Sequence, residues 1–279
     1  MAAAELPVPA AAAQSPVTEP EAEAPSKAAI ADALELFVAV AAGSLDAVRA
    51  QLAKGTPSSS TDENGRTAAM VAAELGHIAL LETILAEGCA LGAKNHLGWS
   101  ALTFAAFAGQ VEALRLLAAR GLAVDDRDVS GATPLCWAAA KGHAAAVLAL
   151  LELGADLSAR DVHGRTALAH CAGGNGDAAT IQALATAAGC DVNTADVLGR
   201  TPLIAAVLAN KPHAVDALVR AGADYTLSDA YVAGVVGPPP GPSEASVTGV
   251  EPVEVPGSAR PGKTALEHAK ERKQKHIER

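Results

Sequence analysis

The sequence predicts an all-α repeat solenoid: about six to seven short helix–turn–helix units stacked side by side. Three observations predict it. Glycines recur at a constant step of 33 residues in three interleaved series: Gly43, Gly76, Gly109 and Gly142; Gly55, Gly88, Gly121 and Gly154; Gly65, Gly98, Gly131 and Gly164. Hydrophobic residues make up 50% of the 279 but aromatics only 3%, and alanine alone accounts for about a quarter. Such a composition suits close-packed short helices better than a sandwich or barrel, which needs β-branched and aromatic strands. Finally, each 33-residue segment repeats one helical grammar, from turn to N-cap to paired helices to glycine stop.

The segment 62–94 spells out that grammar. It opens on an Asp-x-x-Gly turn, in which glycine takes a backbone conformation closed to other residues. Two residues later comes a hydroxyl (Thr67, Ser100, Thr133, Thr166, Thr201) placed to cap the first helix. Pro134 and Pro202 follow at the helix position that tolerates proline best. The first helix is short and alanine-rich (VAAEL, FAAFA, WAAAK, IAAVL) and stops at Gly76, Gly109 or Gly142. The second carries leucines at helical spacing, such as Leu80, Leu81, Ile84 and Leu85, or Leu114, Leu116 and Leu117. After Gly164 the phase slips by two, so two residues enter near CAGGNGDAATIQALATAAG.

Units therefore begin at Asp62, Asn95, Asp128, Asp161 and Asp196. Residues 31–55 keep the glycine phase without the hydroxyl-first opening, which predicts an N-terminal capping unit. The solenoid is expected over 28–229. Residues 1–27 are expected to form a disordered acidic, Pro/Ala-rich tail, and 230–261 a disordered insertion rich in Pro, Gly, Ser and Glu. Residues 262–279 then complete an interrupted last unit and end in a basic helix.

The pattern Asp128-x-x-Gly131-x-Thr133-Pro134-Leu135-x-x-Ala138-Ala139-x-x-Gly142-His143, followed by Leu150-Leu151-x-x-Gly154-Ala155-Asp156, resembles an ankyrin repeat. The resemblance covers about 28–229 and resumes at 262–279. It implies units joined by β-hairpin fingers, a curved stack, and partner binding through finger tips and the groove side of the first helices. The chain departs from the family where a histidine usually follows Thr-Pro-Leu; here Met70, Thr103, Cys136, Ala169 and Ile204 stand there. Hydrogen bonds between units are accordingly expected to be missing, and stability to rest on packing alone.

Charge and motifs narrow the function. Lys plus Arg is 21 against 31 Asp plus Glu, a formal −10, which argues against binding nucleic acid. No apolar run approaches the ~18 residues of a membrane span, and the N-terminus lacks the basic start and apolar core of a secretory signal. The four cysteines are widely spaced and expected to be small core residues in a reducing compartment, the cytosol, with the nucleus as the alternative. Gly257 to Thr264 fits G-x-x-x-x-G-K-[ST] letter for letter. That phosphate loop needs a strand before it and a helix after it; reading Gly-Lys-Thr-Ala-Leu as another unit opening accounts for the same letters, and nucleotide binding stays a remote alternative. His163, His170 and Cys171 are assigned structural places rather than a metal site, and no cofactor is expected.

A non-enzymatic module or adaptor that binds one or more proteins as a monomer is the expected function. An assembly chaperone or inhibitor that occludes a partner enzyme is its alternative. The candidate contact residues are Trp99, Phe107, Arg66, Glu74, Leu75, His96, Lys141, His163, Arg165 and Arg200. Trp99 and Phe107 lead them: a large aromatic in an exposed slot acts as an interface anchor, and the alternative for Trp99 is that it packs on the neighbouring finger. Trp137, before Ala138-Ala139, is assigned to the core.

Overall fold

The computed structural model describes residues 27–227 and 263–270. Among these, twelve helices form six pairs: α1 (Lys27–Ala41) with α2 (Leu45–Ala53), α3 (Ala68–Leu75) with α4 (Ile78–Ala86), α5 (Ala101–Ala108) with α6 (Val111–Ala119), α7 (Pro134–Lys141) with α8 (Ala144–Glu152), α9 (Ala167–Gly173) with α10 (Ala178–Thr186), and α11 (Pro202–Leu208) with α12 (Pro212–Arg220). Each odd-numbered, inner helix packs on the next inner helix, and each outer helix on the next outer one. A further helical segment covers 265–270, and its Ala265 joins the common core. The expected repeat solenoid is the architecture. The tail before Lys27 and the insertion 230–261 lie outside the described residues, and α1 begins at Lys27 itself.

Local chemistry explains the helix limits. Thr67, Ser100, Thr166 and Thr201 accept bonds from the amide three residues on, as expected of N-caps. Thr133 differs: its hydroxyl donates to Cys136 Sγ, and Pro134 opens α7. Inner helices bury alanine where neighbours approach, while Leu81, Ile84, Leu114, Leu117, Leu150, Ile181 and Leu184 of the outer helices are fully buried. Small residues on one layer and leucines on the other are what let eight-residue helices close-pack with few aromatics.

Between pairs, the expected hairpins are reduced to tight turns. Each finger is closed by two backbone bonds: the amide of Asp62, Asn95, Asp128, Asp161 or Asp196 donates to the carbonyl four residues on, and its own carbonyl accepts from the turn glycine. Glycine is needed at Gly98 for two reasons. Its φ is +76°, and a Cβ there would stand 2.9 Å from the Val129 amide nitrogen of the next finger. Where the stop after an inner helix is not glycine, Asn210 takes the left-handed conformation with φ 58°.

The two extra residues are split. One enters the α9–α10 turn, where Gly174 and Asn175 precede the left-handed Gly176. The other follows α10, where Ala187 is extended. A Cβ on Gly174 would fall 2.6 Å from the carbonyl oxygens of Ala140 and His170, so only glycine lets this wider turn lie against α7.

Contrary to the sequence-based expectation, hydrogen bonds do join the units. Gln110 Nε2 donates to Glu74 O, the His143 ring bonds Phe107 O, and Asn175 Nδ2 donates to Lys141 O. On the finger side Lys94 reaches Arg127 O, Arg127 reaches Arg160 O, and Arg160 reaches Ala195 O. Side chains on the turns and fingers therefore do what the missing histidines would have done from the helices, at about 0.5–1.5 kcal/mol net for each bond.

Candidate functional site

The inner helices and fingers together form one face, and its character is set by the first residue of each finger. In every finger the Asp or Asn Oδ1 accepts the turn amides: Asn64 and Arg66 on Asp62, Leu97 and Trp99 on Asn95, Ser130 and Ala132 on Asp128, His163 and Arg165 on Asp161, Leu198 and Arg200 on Asp196. The carboxylates then have Oδ2 to spare. Arg66, Arg165 and Arg200, each one residue past the turn glycine, place Nε on it at 2.8–2.9 Å. These three arginines are held in ion pairs by their own fingers.

Asn95 has no second oxygen, and the residue past its turn glycine is Trp99. The Trp99 indole crosses to the next finger and donates to Asp128 Oδ2 at 3.1 Å, where Trp137 donates as well at 2.9 Å. Ala132, at the position of the arginines, leaves room for both rings. Trp99 packs against Phe104, Phe107 and Trp137, with centroids 4.7–5.1 Å apart and tilted planes that suit the ring quadrupoles. It is only 9% exposed. Of the two readings its slot allows, Trp99 thus follows the second: it packs on the neighbouring finger and supports the surface instead of presenting it.

What the cluster presents is Phe107 and Trp137, both half-buried. Lys141 lies over the Phe107 ring with Nζ 4.3 Å from the centroid, a cation–π contact. Trp137, read from sequence as core, therefore belongs to the surface patch; its slot is the one occupied by Val71, Phe104 and His170 in neighbouring units. Of the other candidates, Glu74 accepts from Arg66 Nη1 at 3.3 Å, Leu75 is exposed beside it, and His163 is exposed at its finger tip. His96, also exposed, leans over Gly65 of the preceding finger. The structure brings Trp99, Phe107 and Lys141 together, Arg66 with Glu74, and Arg165 with Arg200 on one hollow, but not the ten as one site.

A second apolar surface was not foreseen. α1 has 15 residues where inner helices elsewhere have seven or eight, so its first turns run where other units have a finger. Ile30, Leu34 and Val38, at i, i+4 and i+8, form a ridge 55–64% exposed. With Phe37, Val71 and the first finger this ridge lines an open groove of about 740 Å³. The signal was present as the apolar stripe AIADALELFVAV, hidden because the segment was read as an ordinary cap.

Titration on this face is governed by burial and pairing. Burial pushes the Asp161 carboxyl up, but bonds and charge from Arg165, with help from His170, hold it below the usual value. The Asp62 carboxyl is likewise held low, burial being outweighed by Arg66. His170 donates to Asp161 Oδ2 at 2.9 Å, yet burial first and the Arg165 charge second keep its imidazole below 6.5. In the unfolded chain His170 gains its proton first on acidification. Its contribution to stability is complete above pH 6.5 and lost as pH falls through the lower folded value. Urea midpoints measured at pH 7, 6 and 5 are expected to fall less steeply for His170→Gln than for the wild type; equal slopes would remove His170 from this account.

The cysteines carry no sign of chemistry. All four are free thiols, Cys89, Cys136 and Cys171 buried and Cys190 half-buried. Burial raises each, and the Asp177 charge adds to it at Cys171, pushed up to about 12. Among the described residues no three His, Cys, Asp or Glu side chains converge as a metal site, and no helix is long and apolar enough to cross a membrane. Of the phosphate-loop pattern only Lys263 and Thr264 are described. Thr264 caps the 265–270 helix in a reciprocal box, accepting from the Glu267 amide while Glu267 accepts from its own.

Comparison with known proteins agrees with this geometry. No curated protein matches the chain. The family model for ankyrin repeats matches in three overlapping copies, residues 36–128, 76–161 and 158–229, which together span the six helix pairs apart from the first nine residues of α1. With one finger, one helix pair and one capping logic recurring at this step, the chain belongs to the ankyrin-repeat family.

Proposed function

We propose that this protein is a non-enzymatic adaptor of the cytosol that holds a protein partner along the face formed by its inner helices and fingers. Ankyrin repeats are generally protein-interaction modules. The observation that carries the finer reading is the run of accessible large apolar side chains on that one face: Ile30, Leu34 and Val38 on α1, then Phe107 and Trp137. Exposed apolar patches of this kind on one face mark contact sites. The underlying cluster is preorganised, because Trp99 and Asp128 lock the ring positions before a partner arrives, so little side-chain entropy is lost on docking.

The test uses the full chain as bait in native lysate, with quantitative mass spectrometry. Leu34→Asp and Phe107→Asp are each expected to cut capture of the same protein roughly tenfold or more, the equivalent of about 1.5–3 kcal/mol for one buried side chain. Leu148→Asp, on an exposed site of outer helix α8, is expected to leave capture intact. Helical circular dichroism checks that all three variants fold. Capture lost only with the Leu148 variant would move the contact to the opposite face and refute the reading.

A further inference from the structure

The same face contains a hollow of about 300 Å³ beside α9 and α11, with Arg165 and Arg200 on its wall and Gly173, Ala205 and Leu208 among its lining. Each guanidinium is clamped along one edge. Arg165 places Nε and Nη2 on Asp161 Oδ2, both at 2.8 Å, and Arg200 places the same pair on Asp196 Oδ2 at 2.9 and 2.7 Å. Neither Nη1 has a partner among the described residues. Both arginines are about one-third exposed and line the hollow, and the Asp pairs hold their planes still.

An equivalent arginine in the same chain indicates what that donor takes. Arg66 follows Gly65 as Arg165 follows Gly164, and it makes the same Nε bond to its finger carboxylate. Its Nη1 is turned onto Glu74 Oε2. Glu74 stands seven residues after the cap Thr67. Seven residues after Thr166 stands Gly173, and seven after Thr201 stands Leu208. The unit that opens the series thus supplies its own second carboxylate; at α9 the same position has no side chain, and at α11 an apolar one. The hollow opens beside these positions.

We propose that this hollow is the recognition pocket for the carboxylate of an Asp or Glu side chain in a partner polypeptide, bound by Nη1 of Arg165 and Arg200 as Glu74 is bound by Arg66. The proposal rests on the groove-face reading and names the chemistry of its partner. A carboxylate is favoured over a dianionic phosphate by charge. Asp161 and Asp196 already balance the two guanidiniums, and Asp196 is itself part of the lining, so a second negative charge would meet net repulsion from these carboxylates. Two fixed guanidinium donors, one Nη1 from each arginine, suit the two oxygens of a carboxylate. His170 lines the hollow and lies 6.5 Å from Trp137, so the acidic residue would be followed, toward α7, by an apolar one.

The probe is N-acetylglutamate N-methylamide, titrated into the isotope-labelled full chain while the arginine Nε–Hε resonances are followed by NMR. The glutamine analogue and the phosphoserine analogue are run beside it. Saturable shifts confined to Arg165, Arg200 and their neighbours are expected with the glutamate compound and none with the glutamine compound. Gly173→Glu builds the missing carboxylate into the chain and is expected to abolish the response, while Gly173→Ala keeps it. A Cβ at Gly173 meets only Ala205 Cβ, at 3.9 Å, so the backbone there accepts a side chain, and circular dichroism checks that both variants fold. No localised shift, a response that survives in Gly173→Glu, or tighter binding of the phosphoserine compound would each overturn the proposal. Because the probe is a small molecule, the result does not depend on lysate capture. A null titration with capture still lost in the Leu34 and Phe107 variants would remove the pocket alone, and capture unaffected in those variants would remove the groove reading.

Discussion

Asp128→Ala is expected to lower the unfolding free energy by about 3–4 kcal/mol, through loss of acceptors for several buried donors at once. Its Oδ1 takes the amides of Ser130 and Ala132 and the Ser130 hydroxyl, and its Oδ2 takes the indoles of Trp99 and Trp137. Alanine leaves the turn without its internal acceptor and two ring donors facing a gap. Asp128→Asn separates these effects. An amide keeps one oxygen for the turn, as Asn95 does, but offers the indoles an NH₂ instead of an acceptor. The loss should therefore be intermediate, with a shift in native tryptophan emission common to both variants. Denaturant titration followed by tryptophan fluorescence measures both quantities. An Asn variant as stable as the wild type, with unshifted emission, would mean that the carboxylate does not organise the cluster.

A second large effect is expected from Leu114→Ala. Leu114 is fully buried on α6, in a pair with neighbours on both sides, and truncating such a leucine costs about 2–5 kcal/mol. Position in the stack then separates it from Leu218→Ala, an equally buried leucine on α12. In a nearest-neighbour array a lesion in the middle weakens two interfaces, whereas one near the end frays the end. The probes for this are already in place, since Trp99 and Trp137 flank and occupy the third and fourth pairs. Leu114→Ala is expected to move the fluorescence and circular dichroism midpoints together. Leu218→Ala is expected to move the circular dichroism midpoint and leave the fluorescence midpoint nearly in place. Coincident transitions in both variants would show that the array unfolds as a single unit.

Much of the fold was legible because its determinants are local. A glycine at positive φ, a hydroxyl cap and a proline at a helix start act within a few residues, and a fixed step between them prescribes the stack. The face was less legible, since its chemistry crosses between units. The sequence leaves Trp99 open between an exposed anchor and packing on the next finger; it turns inward because Asn95 has no second carboxylate oxygen to hold it and Asp128 of the next unit offers one. Trp137 was read as core because its slot is apolar in sequence, although it is open on one side in space. The bonds between units escaped notice because Gln110, His143 and Asn175 occupy turns, where polar residues ordinarily signify nothing.

The chain's own letters determined the repeat, its phase, the hydroxyl caps of four inner helices and the site of the two-residue slip, since each is decided by backbone geometry and side-chain size at short range. Tertiary structure alone decided which aromatic is surface and which is support, that α1 extends past the point where a finger would begin, and that Gly173 leaves a gap where Glu74 fills one. These depend on which side chain from a neighbouring unit arrives at a given carboxylate or cavity, a distance of 29 residues in sequence for Trp99 and Asp128 but of one hydrogen bond in space.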